Sequence, residues 1–104
     1  MRGDLYRLKA ARDAVGHEQR GPRYAVAVQS DMIRLSTLIV APTSTSAQPA
    51  VFRPTIEMDG TSTRILVDQM RAVDETRLGD FAGRLEPDEL DELAKAVRLV
   101  LGVL

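Results

Sequence analysis

Sustained helical spacing is confined to the C-terminal end of this chain. Pro87, followed by Asp88 and Glu89, opens the segment: proline suits a first turn, and acids suit the positive end of a helix dipole. Leu90, Leu93, Ala94, Val97, Val100, Leu101 and Leu104 then mark one face of an amphipathic helix. Upstream, apolar residues alternate or run in short β-branched stretches, with turn signals roughly every eight to twelve residues. Such a chain is limited to a mainly β (α+β) fold. The expectation is five or six short strands in a small, mostly antiparallel barrel, with a helix that closes the barrel core or joins a homodimer interface.

Gly3 to Leu8 reads as the first strand, and residues 9–22 as a long loop without regular apolar spacing. A loop of that length inside a compact domain is itself a sign of function. Arg23 to Ser30 is the second strand, with Tyr24, Val26 and Val28 on one face and Ala25, Ala27 and Gln29 on the other. Ser36 to Ala41 is apolar and β-branched, as suits a strand buried on both faces. TSTSAQPA, residues 43–50, reads as a hydroxyl-rich loop. Val51 to Met58 alternates, and Pro54 inside it points to a sheet edge. Asp59-Gly60 is a hairpin signal leading into Thr63 to Val67. Asp74 to Leu78 has room for one or two helical turns with Asp74 as N-cap, and Asp80 to Leu85 reads as a last short strand.

The 104 residues suit one domain, 1–104, that buries roughly 60–70% of its unfolded surface. No cysteine is present, which excludes disulfides and thiolate metal sites and fits a reducing compartment. No apolar run approaches the ~20 residues of a membrane span, so a soluble cytoplasmic protein is expected. A net charge of −1 argues against bulk, sequence-independent nucleic-acid binding. The charge is uneven, however. Residues 1–23 carry Arg2, Arg7, Lys9, Arg12, Arg20 and Arg23 against Asp4, Asp13 and Glu18, whereas residues 80–104 are acidic. A local basic groove on an acidic body is compatible with that split.

Chemistry concentrates where polar stretches meet strand ends. Gly16 to Pro22 is polar and runs directly into the second strand, with Arg23 at the junction. A guanidinium held where a loop meets a rigid strand is well placed to grip an anion. His17, the only histidine, titrates near ~6.5 when unperturbed and reads either as a general acid or base or as a solvated loop residue. Without a second histidine or a GxSxG elbow, neither a histidine metal site nor a Ser-His-Asp triad is expected. Thr43, Ser44, Thr45 and Ser46 offer hydroxyls that suit phosphate oxygens or an ordinary turn. Asp68-Gln69 is a polar pair after the strand TRILV, fit to recognise bases or to tie down a loop.

In order and spacing these segments resemble the MazF/PemK family of toxin endoribonucleases, the mRNA interferases of type II toxin–antitoxin systems. The resemblance rests on RGDLYRL (Arg2 to Leu8), GHEQRGPRYAV (Gly16 to Val26), TLIVAPTST (Thr37 to Thr45) and ILVDQMRAVDETRL (Ile65 to Leu78). It departs from the family pattern at Tyr24, where a proline is usual, and at Ser44, where the family's catalytic threonine falls.

The resemblance implies an SH3-like, CcdB/MazF-like barrel with a C-terminal helix, forming a homodimer. It implies a cognate MazE-like antitoxin, no metal or other cofactor, and cleavage of single-stranded RNA, whether mRNA, tRNA or rRNA. The catalytic roles it carries fall on Arg23 and on Ser44, with Thr45 as the substitute hydroxyl. The implied RNA-binding set is His17, Glu18, Gln19 and Arg20 from the loop, with Asp68 and Gln69. His17 and Glu18 are the local candidates for the general base. A contrasting expectation is a non-catalytic barrel toxin that binds a protein such as DNA gyrase, or a dead barrel kept for binding; the gyrase poisons carry a tryptophan near the C-terminus, and this chain has none.

Overall fold

The computed structural model describes residues 1–9 and 23–103. The loop expected over 9–22 therefore lies outside the described residues except for Lys9, as does Leu104. Among the described residues, seven strands and one α-helix follow in order: β1 (Asp4–Leu8), β2 (Arg23–Ala27), β3 (Thr37–Ser44), β4 (Thr55–Met58), β5 (Thr61–Ile65), β6 (Arg71–Asp74), β7 (Leu78–Arg84) and α1 (Pro87–Leu101). All strand pairings are antiparallel, and the sheet runs β4-β5-β3-β2-β1-β7, with β6 also on β3. It curls into a half-barrel, as the sequence predicts for a small antiparallel barrel.

Strand β3 is the organising element. Its first half, Thr37 to Val40, pairs with β6, its middle, Val40 to Pro42, pairs with β2, and its end, Thr43 and Ser44, pairs with Ile65 and Arg64 of β5. Thus β5 and β6 share one edge of β3, joined by the 3₁₀ turn Val67–Gln69. Thr43 and Ser44, expected in a loop, are the last residues of this strand. Strand β6 was not expected, because only Val73 of its four residues is buried and no alternation shows.

Other boundaries move for local reasons. Strand β2 ends at Ala27 rather than Ser30: the amides of Val28 and Gln29 both donate to the Ile39 carbonyl, at 2.9 and 3.2 Å. Gln29 Oε1 in turn accepts from the Ile39 amide at 3.1 Å. That side chain replaces a ladder bond and stops the regular pairing. Strand β4 begins after Pro54 and forms the edge of the sheet, as a proline requires. Asp59 (φ 52) and Gly60 (φ 77) make a two-residue turn with both central residues left-handed, so β5 starts at Thr61 and not at Thr63. Asp74 caps a single 3₁₀ turn, Glu75–Arg77, accepting from the Thr76 amide at 2.9 Å. Leu78 leaves that turn to start β7, earlier than the Asp80 expected.

Two apolar clusters form, one on each face of the sheet. The larger joins Leu5, Val26, Ala41, Ile56 and Ile65 to Leu93 and Ala96 of α1, with Leu90, Val97 and Val100 packed against it. The helix therefore covers its own chain's core. Leu101, expected on that inner face, is exposed. A reciprocal capping box between Glu86 and Glu89 starts the helix, and Gly102 (φ 67) ends it. The smaller cluster, Leu8, Ala25, Val40 and Val73, lies on the opposite face, as side-chain alternation along each strand requires.

Candidate active site

The face carrying the smaller cluster also carries the candidate site. In the β2–β3 ladder Ala27 faces Val40, Val26 faces Ala41 and Ala25 faces Pro42. Continuing that register puts Arg23 opposite Ser44, and directly opposed residues in an antiparallel pair project to the same side. Alternation from Val73 brings Arg71 to the same side. A cavity of about 380 Å³ opens there, and Leu8, Arg23, Ser44, Arg53, Gln69 and Arg71 line it. Arg23 begins β2 and Ser44 ends β3, so both are set by strand backbone and not by loop conformation.

The hydroxyls divide by role. Thr43 Oγ1 donates to the Tyr24 carbonyl at 3.0 Å and ties β3 to β2 beside the site. Ser44 Oγ accepts from the Ser46 amide at 3.2 Å and lies 3.4 Å from Ser46 Oγ. It faces the cavity, whereas Thr45 is exposed beyond the strand end and does not line it.

The segment after Ser44 is held by two arginines. Arg64 Nε donates to the Ala47 carbonyl at 3.1 Å, and its Nη1 to Thr55 Oγ1 at 2.8 Å. Arg53 Nη1 donates to the adjacent carbonyl, that of Gln48, at 3.2 Å. The rest of the Arg53 fork grips Asp68, Nε to Oδ1 at 3.0 Å and Nη2 to Oδ2 at 2.9 Å. The hydrogen bonds from Arg53 hold the Asp68 carboxyl below its ordinary pKa, against the opposing effect of burial. Asp68 thus sits at the rim as a paired carboxylate, while its neighbour Gln69 reaches the cavity.

Of the residues expected at the site, the structure brings together Arg23, Ser44 and Gln69; Asp68 joins them through Arg53. His17, Glu18, Gln19 and Arg20 lie outside the described residues. Arg53 and Arg71 are additions that the sequence reading missed. Arg71 had a findable signal, its two-residue spacing from buried Val73. Arg53 had none, because its partner is fifteen residues away. Among the described residues, no group of three His, Cys, Asp or Glu side chains could hold a metal ion, and no helix is long and apolar enough to cross a membrane.

The sequence profile of the PemK-like, MazF-like toxins of type II toxin–antitoxin systems matches residues 1–101. A candidate toxin of Mycobacterium tuberculosis is 45% identical over 104 residues, covering 99% of this chain and 98% of its own length. Endoribonuclease EndoA of Bacillus subtilis is 31% identical over 111 residues, covering 99% and 95%. A solved mycobacterial endoribonuclease, in complex with its cognate antitoxin, shares the fold with a TM-score of 0.79 at 17% identity, over 100% of this chain and 96% of the other. By profile and by sequence, the chain belongs to the PemK-like, MazF-like toxin family of type II toxin–antitoxin systems.

Proposed function

We propose that this toxin-family endoribonuclease cuts single-stranded RNA at the Arg23–Ser44 cavity without a metal ion, and that its cutting of cytoplasmic RNA arrests translation. In the reaction the ribose 2′-oxygen attacks the adjacent phosphorus, the bond from phosphorus to the 5′-oxygen breaks, and a 2′,3′-cyclic phosphate and a 5′-hydroxyl remain. A base takes the 2′-proton, and the departing 5′-oxygen gains one. Arg23 stabilises the charge that builds on the phosphoryl oxygens, since the planar guanidinium fork matches two oxygens. A guanidinium has no lone pair free to accept a proton, which disqualifies it as the base. Ser44 donates to the scissile phosphate or positions the nucleophile, with Thr45 as the less favoured hydroxyl. His17 and Glu18 are the candidates for the base. Gln19 and Gln69 offer amide groups to base edges, and Arg20 offers charge to the backbone.

The observation that carries this reading is that Arg23, at the start of β2, and Ser44, at the end of β3, line one cavity. The working unit is a homodimer, and a cognate MazE-like antitoxin silences it by filling the RNA groove. A purified sample incubated with end-labelled RNA in excess EDTA should cut at a short sequence and leave the stated ends. Intact RNA, or cuts that appear only with added divalent metal, would refute it.

A further inference from the structure

The Arg53–Asp68 pair is oriented with respect to the cavity. Arg53 is a lining residue and Asp68 is not, so the pair turns its cation inward and its carboxylate outward. Three arginines, Arg23, Arg53 and Arg71, thereby line the cavity, and among the described residues no carboxylate does. On a chain of net charge −1 this is a local concentration of positive charge. The Arg53 guanidinium has five N–H donors. Nε and one N–H of Nη2 are spent on Asp68, and one N–H of Nη1 on the Gln48 carbonyl. One N–H on each terminal nitrogen has no partner among the described residues. The side chain also stacks 5.6 Å from the centre of the Phe52 ring, which further limits its rotation.

We propose that Arg53 forms a second phosphate-binding subsite, for a phosphodiester neighbouring the scissile one on the same RNA strand, with Asp68 as the positioning residue that orients it. The proposal rests on the ribonuclease reading above and goes beyond it by assigning the cavity a second backbone contact. Preorganisation explains why an acid stands beside an anion site at all: it fixes three donors of the fork, so the remaining two need no ordering when RNA binds. Because both Asp68 oxygens already accept from Arg53, that carboxylate serves the backbone contact in preference to a base.

The test uses a mixed-sequence RNA whose cut site has first been mapped, with a 2′-deoxy nucleotide placed there to block cleavage. Its Kd is measured by fluorescence anisotropy across a NaCl series for the wild type, for Arg53→Lys and for the double variant Arg53→Gln/Asp68→Asn. Removing both charges excludes the trivial defect of a stranded carboxylate repelling RNA. The double variant should bind about tenfold more weakly, the scale of one charged hydrogen-bonded contact. Its salt slope should be shallower by about 0.7, one phosphate's worth for a single strand. Arg53→Lys should keep the wild-type slope. A double variant with wild-type Kd and slope overturns the subsite.

Should that variant fail to fold, wild-type protein is assayed with RNAs carrying one neutral methylphosphonate at each position in turn. Weakened binding at a phosphate other than the scissile one supports the subsite, and weakening at the scissile phosphate alone overturns it. The all-ribose RNA separates the two levels. A wild type that leaves it uncut removes the ribonuclease reading, whereas cutting together with a null double variant removes only Arg53.

Discussion

Thr43 Oγ1 and the Tyr24 carbonyl, 3.0 Å apart, join β3 to β2 at the residues next to Ser44 and Arg23. The backbone ladder between these strands ends one pair earlier, at Ala25 and Pro42. The threonine side chain thus extends the joint of two strands to the edge of the cavity, where backbone pairing alone stops. Catalysis by fixed charge depends on donors that do not reorganise during the reaction, and this bond is one physical source of such fixity.

Arg23→Ala should leave the fold intact and lower single-turnover cleavage by at least about a hundredfold, the usual scale for losing one preorganised donor to a transition state. Arg23 begins a strand and is half-buried at its end, so removing its side chain opens no cavity in either apolar cluster. Circular dichroism and a melting curve report the fold, and a gel of labelled RNA reports the rate. A variant that folds and cuts at near wild-type speed takes Arg23 out of the mechanism.

The two hydroxyls at the end of β3 should separate. Ser44 lines the cavity and Thr45 does not, so Ser44→Ala is expected to cost about tenfold to a hundredfold in cleavage, while Thr45→Ala stays within about threefold. Ser44→Thr restores the residue type usual in the family and should retain most of the activity. The reverse ranking of the two alanine variants would move the catalytic role to Thr45.

How far the sequence revealed this arrangement depends on the range over which each interaction acts. The Asp59-Gly60 turn, the Asp74 cap and the Pro87 helix start were legible because each is determined within a few neighbouring residues. Arg23 was legible as the residue where a polar loop becomes a strand. Ser44 was legible as a hydroxyl but misplaced into a loop, since a Thr-Ser run has the composition of a turn and only pairing with Arg64 makes it strand. Strand β6 escaped because three of its four side chains are exposed. The Arg53–Asp68 pair escaped because the two lie fifteen residues apart, and the contact exists only once the β4–β5 hairpin has closed and set Pro54 against Ile65.

Acid should destabilise the fold through Asp4. The residue is 4% exposed; Oδ2 accepts from the N-terminal amine at 3.0 Å, and Oδ1 accepts from Arg84 Nε at 2.9 Å. Burial pushes its pKa up, but the two cationic donors outweigh burial and leave it below the ordinary value of 3.8. A carboxyl depressed on folding contributes stability that is fully present above its unfolded pKa and is lost as pH falls through the folded one. Stability measured by denaturant titration should therefore be flat in this group's contribution at neutral pH and fall below about pH 4. Asp4→Asn should be less stable at pH 7 and show a shallower decline under acid. An equally steep decline in that variant would assign the acid sensitivity to other carboxylates.

Gly3 meets two constraints at once, and its substitution should separate them. Its φ is +90, and a Cβ built there would collide with Leu90 Cδ2 of α1. Overpacking of this kind costs about 1–3 kcal/mol, and left-handed backbone at a residue with a side chain adds about 1–2 kcal/mol. Gly3→Ala is therefore expected to lose at least ~2 kcal/mol, which for a domain of this size lowers Tm by about 8–16 °C. The colliding atom is the far end of a flexible side chain, so the clash is relievable and the backbone strain is not. In a Leu90→Ala background the added cost of Gly3→Ala should shrink to the strain alone, about half of the original loss or less. Calorimetry on the four members of that cycle checks it. A Gly3→Ala protein that melts within about 2 °C of the wild type would show that the start of β1 shifts freely against the helix.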